Sequence, residues 1–464
     1  MRTDMNAMDT LPVAVIGAGP IGLAAAAHLA ERGVAVKVYE AGPSVGANIR
    51  DWGHVRVFTT WEHNVDTASR RLLESHGWKL PQADALPTGD ELYRHYLQPL
   101  SQVPELAGHI ETGARITAIS RAGIDKVTSR GRADVPFELR IAQQNGKTRL
   151  DYARAVIDAA GTWQNANPLG ASGLPVLRET EHAARIAYGM PDVLGAKRAD
   201  YADKRIAVVG GGYSAINVLL DLLRLAESAP KTQIMWVVRG TNMNRIYGGG
   251  SADQLEARGA LGTRLSQFVA QGRIQLVTGF STTALKEGAG GQQLVGMTEG
   301  GERSLPEIDR IVVATGQRPD LEMTRELRLE LDPWLEGVKA LGPLIDPNLH
   351  SCGSVPPHGH RETSHPEPGF YTIGVKSYGR APTFLLLTGY EQARSVAAAI
   401  AGDLVAADNV QLTLPETGIC STDSAANAAG CCGGPAPAES NSCCVSDVVA
   451  KNAGKEGCGC GAAA

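Results

Sequence analysis

A glycine loop set between an apolar strand and a helix occurs twice in this sequence, and few folds accommodate it. Val13-Ala14-Val15-Ile16 reads as a buried parallel strand and runs directly into Gly17-Ala18-Gly19-Pro20-Ile21-Gly22. Leu23 through Ala30 is apolar and alanine-rich, a helix former that Arg32-Gly33 stops. Val34 to Tyr39 then supplies a second strand that ends in Glu40. The result is a complete βαβ unit. Gly17 permits the tight turn, Gly19 lets the backbone approach a pyrophosphate, and Gly22 lets helix and strand pack closely. Glu40 stands where an acid holds ribose hydroxyls. A bare glycine turn without ligand is the alternative, but the strand, helix and acid around this one favour a dinucleotide, with Gly17, Gly19, Pro20, Gly22 and Glu40 as contacts.

The second copy has the same spacing and a different ending. Arg205 to Val209 is again strand-like, and Gly210-Gly211-Gly212-Tyr213-Ser214-Ala215 follows, with alanine at the third fingerprint position. A helix is expected from Ser214 to about Ala226, then a strand, Gln233 to Val238, that ends in Arg239. A carboxylate there would repel a 2′-phosphate, whereas a guanidinium accepts it in a charge-assisted contact. NADPH is therefore expected over NADH, held by Gly210, Gly212, Tyr213, Ser214, Ala215 and Arg239. A surface arginine at a strand end is the bland alternative. An acid at one site and an arginine at the other imply two cofactors, FAD first and NADPH second.

Bulk properties narrow the partners. With 464 residues the chain exceeds the size at which single cores stop growing, roughly 250 to 300 residues. A composition of 43% hydrophobic and 20% charged residues predicts globular units, and a net charge of -5 gives no pull toward nucleic acid. The apolar run Val13–Ile16 is too short for a signal peptide core, and no stretch approaches the ~20 apolar residues of a membrane span. A cytoplasmic protein is expected, as a monomer or homodimer, without membrane or nucleic acid partners.

These motifs resemble the two-dinucleotide-binding flavoproteins, which include the flavin-containing monooxygenases and the pyridine nucleotide-disulfide reductases. The resemblance spans about residues 12 to 402. Val156 to Trp163 is similar to the segment where the chain leaves the FAD domain, and Ile311 to Pro319, with Thr315-Gly316, resembles the segment by which it returns. Gly369 to Gly374 looks like the late strand and glycine that close over the flavin, although Val375 stands where an aspartate is usual. Phe384 to Leu387 opens the last helix. The stretches Ser44 to Arg56 and Pro87 to Leu97 are more similar to the monooxygenase branch. The branch's second fingerprint is not met between Leu174 and Tyr188, despite His182 and Tyr188, and Thr60 takes the place of a flavin-side asparagine.

The resemblance implies an α/β fold of two Rossmann-like domains. The FAD domain is expected at residues 1–165 and 308–405, the NADPH domain inserted at 166–307, and a flexible tail at 406–464. It also implies that Arg56, Ala160, Gly161, Thr315, Gly316 and Gly374 join the cofactor contacts. No acid-base pair declares itself among the scattered histidines, His54, His63, His95, His358, His360 and His365, so the catalytic residues stay unassigned.

Cysteine usage separates the branches. The first 351 residues contain none, and Cys352 stands alone. A dithiol relay beside the flavin needs a CxxxxC or CxxC pair early in the chain, so the expected partner for the reduced flavin is O2. Two outcomes follow: oxygenation of a soft nucleophile through a C4a-hydroperoxyflavin, or release of peroxide. Seven cysteines crowd the last 45 residues, among them Cys431-Cys432, Cys443-Cys444 and Cys458-Gly459-Cys460. Adjacent cysteines form disulfides only with strain, whereas flexible paired thiolates suit soft, thiophilic ions. These six are the candidate metal ligands, with an oxidation-prone tail that binds nothing as the alternative. The tail resembles that of mercuric reductase. The whole layout, with Cys431-Cys432-Gly433-Gly434, resembles flavoproteins of the arsenic-resistance type. That implies trivalent arsenic or antimony as substrate. An NADPH oxidase or metal reductase using the tail, a monooxygenase of sulfur or nitrogen compounds, and a non-enzymatic metallochaperone are the competing readings.

Overall fold

The structure, a computed structural model, describes residues 8, 10–143, 146–248, 256–349 and 355–412. The chain enters through β1 (Val13–Ile16), α1 (Pro20–Glu31) and β2 (Val36–Glu40), and later adds β3 (Ile110–Thr112). An antiparallel meander follows, β4 (Ala114–Arg121), β5 (Phe137–Gln143) and β6 (Thr148–Ala153). It leads into β7 (Ala155–Asp158). After β8 (Ile186–Tyr188) come β9 (Arg205–Val209), α2 (Tyr213–Ser228), β10 (Gln233–Val237) and β11 (Gln275–Val277). A second antiparallel meander, β12 (Ser281–Glu287), β13 (Gln292–Thr298) and β14 (Gly301–Ser304), precedes β15 (Arg310–Val313). The chain closes with β16 (Phe370–Thr372) and α3 (Leu386–Ile400).

Two parallel five-stranded sheets result, ordered β16-β7-β1-β2-β3 and β11-β10-β9-β15-β8. Each is a Rossmann-type sheet, as the two fingerprints predict. Their central strands are buried on both faces, which is why they read as continuous apolar runs. Helix α1 is apolar except at His28 and Glu31, and Leu23 through Ala27 and Leu29 are inaccessible to solvent because α1 is enclosed between the first sheet and α3. Gly389 allows this approach: a Cβ there would stand 2.6 Å from Ile21 Cδ1.

Two expected boundaries shift. Residues 310–313, placed with the FAD unit by the expected break at 308, form β15 between β9 and β8 of the second sheet. The apolar run Ile311–Val313 gives no sign of which sheet it joins; the pairing decides. The tail also begins later than Ala406. Leu404–Asp408 is helical, and its carbonyls at Ala406 and Ala407 accept from Arg394 Nη1 and Ser395 Oγ at 2.7 Å. Low-complexity composition hid this local anchoring. All eight cysteines, including the candidate ligands Cys431, Cys432, Cys443, Cys444, Cys458 and Cys460, lie outside the described residues. Among the described residues no helix is long and apolar enough to cross a membrane.

The loop before β16 is tied down by charge. Glu367, fully buried, accepts from Arg121 Nε at 2.8 Å and Arg132 Nη2 at 2.7 Å, with Arg121 also bonded to the Pro368 carbonyl. His365, beside it, bonds Thr372 Oγ1 through Nε2 at 2.9 Å. Burial holds its imidazole down to about 4 from an ordinary 6.5, although Glu330 and Asp158 push the other way. The folded protein thus resists a proton that the unfolded chain accepts. This contribution to stability is whole above the unfolded value and is lost as pH falls toward 4, a loss of about 3 kcal/mol. Denaturant midpoints taken above and within that window should fall more steeply for the wild type than for His365→Asn. Equal slopes would remove His365 from the acid response.

Candidate functional site

The first glycine loop is built as its sequence demands. Gly17 has φ +94°, and a Cβ there would lie 2.8 Å from the Ala159 carbonyl oxygen. At Gly22 a Cβ would stand 1.9 Å from Gly17 O, so only glycine lets α1 start this close to β1. Gly19 is the reverse case, with no atom within 4 Å of an added Cβ, because it faces open space. Glu40 holds the loop from β2, its Oε2 accepting from Ala18 N at 2.8 Å and its Oε1 from Gly42 N at 2.7 Å.

That open space is a cavity of about 710 Å³ lying at the carboxyl ends of the strands, where open α/β sheets take their ligands. Gly17, Gly19, Pro20, Glu40, Ala160, Gly161 and Gly374 all line it, together with the unexpected Trp52, Trp163 and Lys376. The residues fit a flavin dinucleotide: an acid at one end, an unobstructed glycine in the middle, and an apolar wall at Phe384 and Leu386. Nearby, the Thr383 hydroxyl is buried with no hydrogen-bond partner among the described residues.

Gly374, with φ +71°, is fixed from α3. Its N–H donates to Gln392 Oε1 at 2.7 Å, and Ser377 Oγ donates to its carbonyl at 2.7 Å. Gln392 Nε2 lies 3.0 Å from His358 Nε2, and His358 Nδ1 lies 3.0 Å from the Pro356 carbonyl. A carbonyl only accepts, so Nδ1 carries the proton and Nε2 accepts from Gln392. Burial lowers the His358 pKa, which keeps this ring neutral. His358 is therefore a buttress for the Gly374 turn.

Arg56 stands apart from the cavity lining. It is exposed, bonds the Leu86 carbonyl and lies 3.8 Å from Glu91. Thr60 pairs with His63 Nδ1 at 2.8 Å. Tyr188 donates to the buried Glu179 at 2.5 Å, and His182 meets Gln292 at 3.0 Å, so both serve local packing.

The second loop repeats the design at the carboxyl ends of β9 and β15. Gly210 has φ +136°, and a Cβ would come within 2.2 Å of Ala314 O. Gly212 is open, and Ala215 is fully buried at the helix–sheet contact. Tyr213 packs against Phe58 with the rings tilted and their centroids 5.5 Å apart, and Ser214 follows it in the first turn of α2. Thr315 Oγ1 bonds the Asn167 and Pro168 carbonyls at 3.2 Å, and Gly316, φ +91°, packs on Asn167. Arg239 is exposed at the end of β10 and donates to the Ala171 carbonyl at 3.1 Å. A smaller polar cleft of about 350 Å³, lined by Arg185, Lys204, Asp309 and Arg310, lies at the amino ends of these strands, opposite the glycine loop.

Two glycine cradles on two parallel sheets define a Rossmann-type FAD/NAD(P) protein. The chain belongs to the pyridine nucleotide-disulphide oxidoreductase family, whose profile matches residues 11–339. It is an oxidoreductase with FAD and NADP(H) as cofactors. Among solved structures it is similar to the bacillithiol disulfide reductase of Bacillus cereus, with a TM-score of 0.64 and 17% identity over 84% of this chain and 99% of that one. It is similar also to the FAD-bound cadaverine monooxygenase of the desferrioxamine pathway of Erwinia amylovora, with a TM-score of 0.59 and 14% identity over 87% and 98%. These likenesses carry the fold. By sequence it is similar to thiamine thiazole synthase of Pyrobaculum neutrophilum, 28% identical over 264 residues, which is 51% of this chain and 94% of that protein.

Proposed function

We propose that this protein is an NADPH-dependent flavoprotein monooxygenase whose substrate is a trivalent arsenic or antimony species. The observation that carries the first half is the absence of any cysteine before position 352 in a chain of the disulphide oxidoreductase family. Without an early cysteine pair the flavin lacks the dithiol relay of the family's disulfide reductases. In this reading its acceptor is O2, and monooxygenases of this fold stand among the structural neighbours. The tail supports the second half, since paired thiolates select soft ions.

In this reading Gly17, Gly19, Pro20, Gly22, Glu40, Ala160, Gly161 and Gly374 hold FAD. Gly210, Gly212, Tyr213, Ser214, Ala215 and Arg239 hold NADPH, with Thr315 and Gly316 beside them. Bound FAD supplies redox chemistry, and the chain supplies orientation and a water-poor cavity. The balance is one NADPH, one proton, O2 and a trivalent metalloid going to NADP+, water and the pentavalent oxo product.

An oxygen electrode with NADPH, and arsenite, methylarsenite or antimonite, tests this. Metalloid-dependent uptake, one O2 per NADPH, with the pentavalent product and little peroxide, is the expected result. Truncation after Pro415 should leave flavin reduction by NADPH intact. Metalloid-independent peroxide, or anaerobic NADPH-driven reduction of arsenate or Hg(II), would instead favour the oxidase or reductase reading, which the similarity to bacillithiol disulfide reductase supports.

A further inference from the structure

Sheet order gives the cavity a direction. Glu40 ends β2, the glycine loop leaves β1, Asp158 ends β7 and Thr372 ends β16, and these strands are neighbours in that order. A dinucleotide with its adenosine ribose on Glu40 and its pyrophosphate at Gly19 extends its flavin half toward Asp158 and the Gly374 turn. At that end the wall contains a cation, Lys376.

The lysine is held in an unusual way. Its side chain is 3% exposed, and Nζ lies 2.6 Å from Oδ2 of Asp158, itself 1% exposed. Asp158 Oδ1 accepts from Ala160 N at 3.1 Å, which orients the carboxylate. The backbone that carries Lys376 is pinned by Gln392 and Ser377. Of the pair, only Lys376 lines the cavity. Burying two charges is costly, and apolar residues of the same volume often stabilise a fold as well or better. Here the cost sets an ion pair at one end of the cavity, where Lys376 shares the wall with Leu386 at the amino end of α3, the positive end of that helix.

We infer that Lys376 is a flavin-binding residue, an ammonium presented by Asp158 to the isoalloxazine half of FAD, which favours the electron-rich reduced ring. The inference rests on the FAD assignment made above for this cavity. The bland alternative is an ion pair that serves folding only.

Sulfite-adduct affinity and the midpoint potential of the FAD-loaded protein distinguish them, because both report charge at the flavin without turnover. Lys376→Met should weaken sulfite binding and shift the two-electron equilibrium against reduction by about tenfold, ~30 mV. Lys376→Arg should stay near the wild type. Asp158→Asn, which keeps an acceptor for Ala160 N and removes the counter-charge, should shift the potential upward. FAD-replete K376M and D158N with wild-type values would overturn the inference and leave the pair a role in the fold. Where K376M fails to retain FAD, D158N decides: an upward shift supports the inference, and no shift or a downward one overturns it. Wild-type protein that takes no FAD fails at the earlier step and removes the FAD assignment itself.

Discussion

Gly22→Ala is expected to strip the protein of flavin and lower its melting temperature together. The added methyl would stand 1.9 Å from Gly17 O, which belongs to the loop itself, so α1 must move off β1 or the turn must open. Overpacking of this kind costs roughly 1–3 kcal/mol, and the contact with fixed backbone puts it at the upper end. A melting temperature lowered by about 3 °C follows for a protein of this size. Gly19→Val is the informative partner, since its side chain would enter the cavity and touch no protein atom near Cβ. It should melt close to the apoprotein and still bind no FAD. The ratio of flavin to protein absorbance and a thermal melt read both effects. A G22A protein with full flavin and an unchanged melt would remove the first loop from cofactor binding.

The second large effect concerns the choice of nicotinamide. Arg239 stands exposed beyond β10, and its one described hydrogen bond is to the Ala171 carbonyl, a partner that leaves much of its fork free. Arg239→Ala should raise the KM for NADPH by roughly thirtyfold, the equivalent of ~2 kcal/mol for a charge-assisted bond, with the KM for NADH little changed. Steady-state reduction of FAD by each cofactor measures this. Equal losses for both would mean that Arg239 supports the fold of the β10 end and makes no contact with a 2′-phosphate.

What the sequence discloses here is what is local. Each glycine fingerprint carries its strand, turn, helix and terminal residue within one continuous stretch, so periodicity and spacing suffice. The two antiparallel meanders, β4–β6 and β12–β14, escape because their alternation is broken by register shifts at Thr117 and Thr283 and their pairing is decided between strands. Asp158 and Lys376 are distant in sequence and meet only because β7 and β16 are neighbours. The missing acid at Val375 is visible in the chain, but nothing local says that the next residue pairs with Asp158 at the cavity wall. Arg56 shows the opposite failure, since a resemblance in a stretch does not fix where one side chain points.

The order of the first sheet also makes the cavity a ruler. Its one end is marked by Glu40 on β2 and its other by the Gly374 turn after β16, with the glycine loop of β1 between them. With the ribose on Glu40 and the flavin at the Gly374 turn, as proposed above, FMN would span the turn and the loop but leave the carboxylate without a ribose, and an adenine nucleotide would do the converse. Only a molecule with both halves reaches both marks. On that placement, discrimination among the many cellular compounds that share a piece of FAD would come from the distance across neighbouring strands, a quantity set by the backbone and indifferent to most surface substitutions.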